Sequence, residues 1–247
     1  MRANYKLKRL FVEAPLSEGG AIAADKEQSH YLLTVLRMEP GSEILLFNGR
    51  DGEWLGALST ADKKAAVVTP VSPTRTQTAE PDVWLLFAPL KKDRTDFLVE
   101  KATELGVSRL LPVITRYTQS SRLNTERLQA TATEAAEQSR RLSVPEVVAP
   151  AALDALLADW PVDRPLIYLD ETGHGQPLAT VLQKGCNGIA FLIGPEGGFT
   201  SDELDALGKL TFSVAADLGP RILRAETAAT SALAIRQSVT DSLSPKS

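Results

Sequence analysis

From about residue 80 onward the sequence alternates short apolar runs with segments of helical pattern, and no other feature limits the possible folds as strongly. The runs have the composition of strands that are buried on both faces. The first segment between them, RTDFLVEKATELG (94–106), ends at a glycine, as many helices do. The five runs are DVWLLFAPL (82–90), VSRLLPVIT (107–115), PLIYLDE (165–171), GIAFLIG (188–194) and FSVAADLG (212–219). This pattern predicts an α/β domain with a mostly parallel sheet.

The first part of the chain has a different pattern, which is typical of a small β-rich unit. SEILLFNG (42–49), GEWLGAL (52–58) and KKAAVVTPV (63–71) are short apolar runs with glycines beside them. The segment NGRDGE (48–53) has the composition of a hairpin loop. SHYLLTVLRME (29–39) fits a short helix with Ser29 as its cap.

Proline and threonine are frequent in TPVSPTRTQTAEPD (69–82), which has almost no apolar residues and is typical of a linker. We therefore expect two domains. The first is a β-rich domain at residues 1–72, and the second is an α/β domain at residues 73–247.

Composition excludes several classes of protein. A hydrophobic content of 43% with 23% charged residues is ordinary for a globular protein. No apolar run approaches the roughly 18 residues that a bilayer span needs, and the N-terminus lacks the apolar stretch of a signal peptide. We therefore expect a cytoplasmic protein without a membrane partner. With one cysteine, Cys186, and two histidines, His30 and His174, we expect no metal site.

The charge is unevenly distributed along the chain. Residues 142–217 hold 11 of the 31 acidic residues and only 3 of the 27 basic ones. The first twelve residues contain four basic residues and no acid, which suits an edge that contacts nucleic acid phosphates. A solvated basic N-terminus without a partner is an equally good interpretation of this cluster.

Three glycine-containing loops follow apolar runs in the second part of the chain: LDETGHG (169–175), GPEGGF (194–199) and LGPRILRAET (218–227). In parallel sheets, ligands bind beyond the carboxyl ends of the strands. Glycine allows the backbone to turn sharply or to approach a ligand closely. We therefore expect a ligand site built from these three loops.

The second loop is unsuited to a phosphate. Thr200 and Glu203 have the spacing of a capping box, which satisfies the amides of the following helix internally. No lysine or arginine lies between residues 184 and 209, and the chain contains no dinucleotide or Walker motif. A neutral or cationic ligand would better tolerate Glu196, although this carboxylate also fits a purely structural role bonded to nearby amides.

The last two loops carry a resemblance to a known family. LIGPEGGFTSDEL (192–204) followed by LGPRILRAETAATSALA (218–234) resembles the RsmE family of the SPOUT superfamily. HYLLTVLRMEPGSEILLFNGRDGEW (30–54) is similar to that family's PUA-like barrel. The resemblance implies an N-terminal PUA-like RNA-binding barrel and a C-terminal SPOUT domain with a deep trefoil knot. It also implies a homodimer formed through the knotted domain.

The activity implied by the resemblance is S-adenosylmethionine-dependent methylation of N3 of a specific uridine in 16S rRNA of the small ribosomal subunit. Backbone groups would hold the methyl donor, and Glu196 would shape its loop and favour the positive sulfur. The implied cofactor-binding residues are Leu169, Gly194, Glu196, Gly198, Leu218, Gly219 and Leu223. The candidate RNA contacts are Arg2, Lys6, Lys8, Arg9, Arg37 and Arg50.

Uridine N3 carries a proton and becomes nucleophilic only when that proton leaves, so the reaction needs a base or a charge that stabilises the uracil anion. We take Glu226 as the candidate base and Arg224 as the candidate stabiliser of charge on the uracil oxygens. Helix capping and ion pairing at a dimer interface are alternative roles for both residues.

Two other functions remain open from the sequence. One keeps the fold and the cofactor but transfers the methyl group to a ribose 2′-hydroxyl. The other is a non-catalytic RNA-binding assembly factor with a degenerate cofactor pocket. The RAET segment (224–227) disfavours the first, and the intact glycines of the last two loops disfavour the second.

Overall fold

The structure is a computed structural model, and it describes residues 6–62, 65–119, 123–183 and 188–243. Contacts group the chain into two units. The first comprises residues 1–79 together with 136–144, and the second comprises residues 80–135 together with 145–247. The first unit is therefore not one continuous stretch of sequence.

A five-stranded sheet forms the first unit. Its elements are β1 (Arg9–Phe11), β2 (Ile22–Ala23), α1 (Lys26–His30), a π-helical turn (Tyr31–Val35), β3 (Glu43–Phe47), β4 (Glu53–Asp62) and β5 (Ala65–Arg75). The strand order is β1-β3-β4-β5-β2, and β1 pairs in parallel with β3 while the other pairs are antiparallel. The loop at 48–52 joins β3 to β4, which confirms the predicted hairpin. Aliphatic side chains such as Leu46 and Val68 form its core.

The predicted cap of the short helix is wrong. The helix begins earlier than the sequence suggested, and Asp25 caps it: the Asp25 carboxylate accepts from Gln28 N at 2.8 Å while the Gln28 side chain accepts from Asp25 N at 3.2 Å. Ser29 is buried instead. Its hydroxyl donates to Ala24 O at 3.2 Å and accepts from Ala66 N at 3.1 Å, so it ties the helix to β5.

The first half of the predicted linker is strand. β5 continues through Arg75, and the boundary expected between residues 72 and 73 falls inside it. Pro70 and Pro73 stand opposite Gly56 and Trp54, next to shifts in the β4–β5 register. Proline cannot donate to a ladder, but it is tolerated at such irregular positions. The prolines therefore bend the strand and do not end it.

Arg9 is the most constrained charged residue of the first unit, and the prediction that it contacts RNA is wrong. Its side chain is buried, with 3% of its surface exposed, and Nε donates to Glu53 Oε2 at 2.8 Å. Nη1 donates to the carbonyls of Ala136 and Glu137 at 2.8 and 3.1 Å, and Nη2 donates to the carbonyl of Arg141. Every nitrogen of this guanidinium is occupied, which leaves none for a phosphate.

The environment of Arg9 explains why the charge is tolerated. Burial lowers the pKa of the Arg9 guanidinium from its ordinary value, and the Glu53 carboxylate opposes that shift. The carbonyls at 136–141 lie at the end of a helix, where backbone acceptors lack helical donors and favour a cation. The guanidinium also lies over the Phe47 ring, with Cζ 4.1 Å from the ring centroid.

The second unit is a parallel sheet with helices. Its elements are β6 (Val83–Phe87), α2 (Lys92–Glu104), β7 (Arg109–Ile114), α3 (Thr125–Ser139, its last turn counted with the first unit), β8 (Glu146–Val147), β9 (Ala151–Ala152), α4 (Leu153–Ala158), β10 (Leu166–Leu169), β11 (Gln176–Pro177), α5 (Leu178–Leu182), β12 (Ile189–Ile193), α6 (Ser201–Gly208), β13 (Ser213–Asp217) and α7 (Ala225–Leu243). The strand order is β11-β13-β10-β12-β6-β7-β8, with β9 paired to β7.

Each of the strand pairs in this sheet is parallel, which confirms the predicted α/β architecture. The central strand β12 is buried along its whole length, as its apolar sequence requires. Gly106 follows α2 with φ of 86°, so it ends the helix in a conformation that suits glycine. Among the described residues, no helix has the length and apolar character needed to cross a bilayer.

We predict that Arg9→Met destabilises the protein by about 3–5 kcal/mol, because it leaves the Glu53 carboxylate buried without its main partner. Urea unfolding followed by circular dichroism measures this change. Arg50→Met is the control, since Arg50 is exposed and its Nη2 donates to Glu13 O at 2.8 Å. If Arg9→Met lowers the free energy of unfolding by an amount within about 0.5 kcal/mol of that for the control, the structural role of Arg9 is contradicted.

Candidate functional site

Three strand ends lie side by side in the second unit. β10 pairs with β12 on one side and with β13 on the other, and Leu169 at the end of β10 stands opposite Ala216. Because these strands are parallel, their carboxyl ends meet at one edge of the sheet. The structure therefore brings together the three glycine-containing loops that the sequence singled out.

Gly198 allows the first and second of these loops to touch. It has φ of 70°, and a side chain placed on it would have its Cβ 1.9 Å from Oε1 of Glu171. The Glu171 carboxyl group therefore lies directly against the Gly198 backbone. Gly194 is constrained by packing instead, because a Cβ there would lie 2.9 Å from the Phe199 ring. A larger residue at Gly198 would displace the Glu171 carboxyl group and strain the backbone, and one at Gly194 would displace the Phe199 ring.

Glu171 has an altered acidity that follows from this contact. Desolvation of its carboxyl group against the loop raises the pKa of Glu171, and the neighbouring negative charge of Asp170 acts in the same direction. Asp170 is itself buried, and its Oδ1 accepts from Thr172 N at 2.8 Å. The end of β10 thus carries two adjacent carboxyl groups, and sequence reasoning had selected neither of them.

The helix after the second loop is capped as predicted. Glu203 N donates to the Thr200 hydroxyl at 3.1 Å, and Thr200 N donates to Glu203 Oε2 at 2.8 Å. The other oxygen of Glu203 accepts from Arg116 N at 2.9 Å. These amides are occupied within the protein, which disfavours a phosphate at this point.

The third loop is closed by a short local bond. Gly219 has φ of 99°, and its N–H donates to Asp217 Oδ1 at 2.9 Å. Leu218 and Leu223 are half-buried, whereas Ile222 between them is almost fully exposed. The loop thus presents backbone groups and an apolar side chain at the same edge of the sheet.

Arg94 joins the second loop to the start of α7. Its Nη1 forms an ion pair with Oε1 of Glu196, and its Nε lies 3.8 Å from Oε1 of Glu226. Sequence reasoning missed Arg94, although the signal was available. Arg94 follows β6, and β6 pairs in parallel with β12, so the rule that selected three loops applies to this fourth strand end as well.

Glu226 is a largely enclosed carboxylate at the start of α7. Only 12% of its side chain is exposed, and its Oε2 is buried with no hydrogen-bond donor from the described part of the chain. A buried acceptor without a donor is costly and requires an explanation. Arg224, the other predicted catalytic residue, is exposed, and its carbonyl accepts from Ala228 N at 2.8 Å at the start of the helix.

Tyr117 lies beside the second loop. A Cβ on Gly197 would lie 3.3 Å from the Tyr117 Cβ, and 52% of the tyrosine is exposed. No sequence pattern indicates that this residue reaches the loop, because 80 positions separate it from Gly197. An exposed aromatic ring at this place suits contact with an unstacked base.

The remaining predicted residues fall into two groups. Lys6, Lys8, Arg37 and Arg50 are exposed on the first unit. Arg2 and Cys186 lie outside the described residues. Within the described ranges, no group of three or more histidine, cysteine, aspartate or glutamate side chains is placed to hold a metal ion.

Comparison with known proteins identifies both units. Residues 78–237 match the family model described as RNA methyltransferase domain, and residues 24–71 match the RNA methyltransferase PUA domain. The ribosomal RNA small subunit methyltransferase E of Rickettsia conorii is 32% identical over 234 residues, covering 93% of this chain and 94% of the relative. The protein of the same name from Bacillus subtilis is 28% identical over 238 residues, covering 90% and 93%.

Solved structures agree with this match. A ribosomal RNA small subunit methyltransferase E from Neisseria gonorrhoeae bound to S-adenosyl methionine has a TM-score of 0.87 at 28% identity, covering 94% of this chain and 98% of that one. A putative methyltransferase from Legionella pneumophila in complex with the bound cofactor SAM has a TM-score of 0.86 at 28% identity, with the same coverage. The α/β unit, the PUA unit that precedes it and these matches over nearly the whole length place the chain in the ribosomal RNA small subunit methyltransferase E family.

Proposed function

We propose that the protein transfers a methyl group from S-adenosylmethionine to N3 of a specific uridine in 16S rRNA of the small ribosomal subunit. The observation that carries this proposal is the buried Oε2 of Glu226, which has no hydrogen-bond donor among the described residues, at the edge where the three loops meet. The family supplies the reaction class, since relatives are named as methyltransferases of small-subunit ribosomal RNA. The solved relative that holds S-adenosyl methionine supports the choice of methyl donor.

The loop residues fit this cofactor. Backbone groups of the predicted residues would hold it, and Gly198 allows the tight turn that brings the second loop against Glu171 of the first loop. The amides that follow the second loop are occupied by the Thr200–Glu203 capping box, which disfavours a phosphate there, and Glu196 of the loop is paired with Arg94. When bound, S-adenosylmethionine would supply an electrophilic methyl group on a positively charged sulfur. The proposed holding residues are Leu169, Gly194, Glu196, Gly198, Leu218, Gly219 and Leu223.

Proton removal from uridine would fall to Glu226. The Oε2 atom has no donor from the described residues, so it is free to accept the N3–H of a uridine that enters the site. The N3 proton would pass to this oxygen, and the N3 electron pair would then bond to the methyl carbon while the bond from that carbon to the sulfur breaks, with the sulfur leaving as a neutral thioether. Arg224 is exposed nearby in sequence, and we propose that it balances the negative charge on the uracil oxygens.

Two features that the family resemblance implies also remain proposals. α7 follows β13 in the chain, yet it packs against β12, α2 and α5. This return of the chain supports a knotted C-terminal region. The alanines at 228, 229 and 232 are buried within the chain, so they explain the close packing of α7 without a partner subunit. We propose a homodimer on the resemblance alone, and analytical ultracentrifugation tests it.

Two rival functions give different results in the same measurements. Mass spectrometry of small-subunit RNA, with and without the protein, locates the methyl group on base N3 or on a ribose 2′-oxygen. Calorimetry with S-adenosylmethionine identifies an assembly factor, because a degenerate pocket would give no binding heat. A methyl group on N3 supports the proposed function, and any other outcome rejects it.

We predict that Glu226→Gln lowers kcat by about 10²- to 10⁴-fold, the range expected for loss of a positioned base. The test also uses small subunits reconstituted from RNA that contains 5-fluorouridine. Fluorine at C5 withdraws electrons and makes N3–H more acidic, so the need for a base falls. The variant's deficit should therefore shrink several-fold on the fluorinated substrate. Full turnover by Glu226→Gln on ordinary subunits would reject this residue as the base.

Cofactor affinity gives a second prediction. Gly198→Ala should weaken S-adenosylmethionine binding at least about tenfold in calorimetry, because the new Cβ displaces Glu171 and the backbone becomes strained. Gly106→Ala is the matched control. Gly106 also has positive φ, but its Cβ position is open and lies away from the loops. Equal cofactor affinity in the two variants would contradict a cofactor site at Gly198.

RNA binding gives a third prediction. If Lys8 contacts a phosphate, Lys8→Ala should flatten the plot of log binding constant against log salt concentration by about 0.7 to 1. Lys101→Ala serves as the control, since the Lys101 ammonium donates to Glu100 and Glu104 at 2.7 and 2.8 Å and is neutralised locally. If the slopes of the salt plots for Lys8→Ala and Lys101→Ala are equal, Lys8 is not an RNA contact.

A further inference from the structure

We propose that Arg94 is the residue that positions Glu226 for proton removal, and that it couples this base to the second loop through Glu196. This inference rests on the proposed function and extends it to a residue at a fourth strand end. The guanidinium spans two carboxylates: Nη1 pairs with Glu196, and Nε lies 3.8 Å from Oε1 of Glu226. A planar fork can hold two acceptors in fixed directions, which a single point charge cannot do.

The backbone around Arg94 is firmly held. Thr95 is fully buried, and its hydroxyl accepts from Leu90 N at 3.0 Å and donates to Leu90 O at 3.1 Å. Just upstream, Ala88 N donates to Ile193 O at 3.1 Å, which joins the end of β6 to the end of β12. The start of α2 is thus fixed relative to the strand that leads into the Glu196 loop.

Arg94 acts on one oxygen of Glu226 and leaves the other for the substrate. The ion pair involves Oε1, whereas Oε2 is buried and has no donor within the described residues. Because Arg94 attracts Oε1, it fixes the rotation of the carboxylate and directs Oε2 toward the place of the proton. A misplacement of about 1 Å in such a group can cost 10²-fold in rate. Arg94 is therefore a positioning residue, and Glu226 is the group that touches the substrate.

A second ion pair of α2 offers a matched control. Arg127 pairs with Asp96 of α2, and the two side chains are 31% and 29% exposed. The corresponding values for Arg94 and Glu196 are 32% and 30%. Loss of either arginine removes a half-exposed ion pair from α2, but Arg127 has no carboxylate of the three loops as its partner. Arg127→Met thus reports the structural effect alone.

The experiment compares Arg94→Met, Glu226→Gln, the double variant and Arg127→Met, all as full-length protein. For each, kcat is measured at saturating S-adenosylmethionine on ordinary and on 5-fluorouridine small subunits, together with the melting temperature. We expect Arg94→Met to lower kcat by about 10- to 100-fold with a change in subunit KM below threefold. Its melting temperature should match that of Arg127→Met, which should keep wild-type kcat.

Two further comparisons separate positioning from a general loss of structure. The double variant should be no slower than Glu226→Gln alone, because two residues that act through one group are not additive. The deficit of Arg94→Met should shrink on the fluorinated substrate by the same factor as that of Glu226→Gln. A double variant that is slower by the product of the two single effects, or an unchanged deficit on fluorinated RNA, would overturn the inference.

Failure of this inference is distinct from failure of the proposed function. If wild-type protein places no methyl group on N3, the proposed function itself falls. If wild type methylates N3 and Glu226→Gln is slow while Arg94→Met stays within threefold of Arg127→Met, only the role of Arg94 is rejected.

Discussion

Parallel pairing of the central strands is the constraint on which the candidate site depends. β6, β12, β10 and β13 are neighbours in the sheet, so their carboxyl ends all open at one edge. Distant parts of the chain meet there without any need for local sequence similarity. The Arg94 and Glu196 side chains, 102 positions apart, form an ion pair only because β6 and β12 are adjacent. The chemistry proposed for Glu226 follows from this arrangement.

The three glutamates at this edge of the sheet differ in their partners. Glu196 is paired with Arg94, so the second loop does not present a free negative charge, contrary to the simplest interpretation of its sequence. Glu171, whose pKa is raised by desolvation, lies against Gly198 instead. Glu226 keeps one oxygen paired and one without a donor in the described chain. Three acidic groups thus have three different sets of partners within one site.

The extent of correct prediction reflects the range over which each rule acts. The buried strands, the end of α2 at Gly106 and the Thr200–Glu203 capping box depend on a few adjacent residues, and the sequence predicted them. Arg9 and Arg94 depend on partners far away in the chain. The prediction for Arg9 was wrong, and Arg94 was not predicted. A basic residue near the N-terminus looks the same in sequence whether it faces solvent or lies buried against Glu53 and three carbonyls. Only the folded chain distinguishes these cases.

The way in which Arg9 binds the end of α3 has a consequence for how such proteins evolve. The carbonyl acceptors of its guanidinium lie 127 to 132 positions downstream, within residues 136–144, and in the sequence this stretch interrupts the second unit. A recombination event that exchanged only the contiguous N-terminal residues would leave those carbonyls behind. The Arg9 guanidinium would then be buried without them. The two units should therefore be inherited together, and grafting the first onto another enzyme would require transfer of residues 136–144 as well.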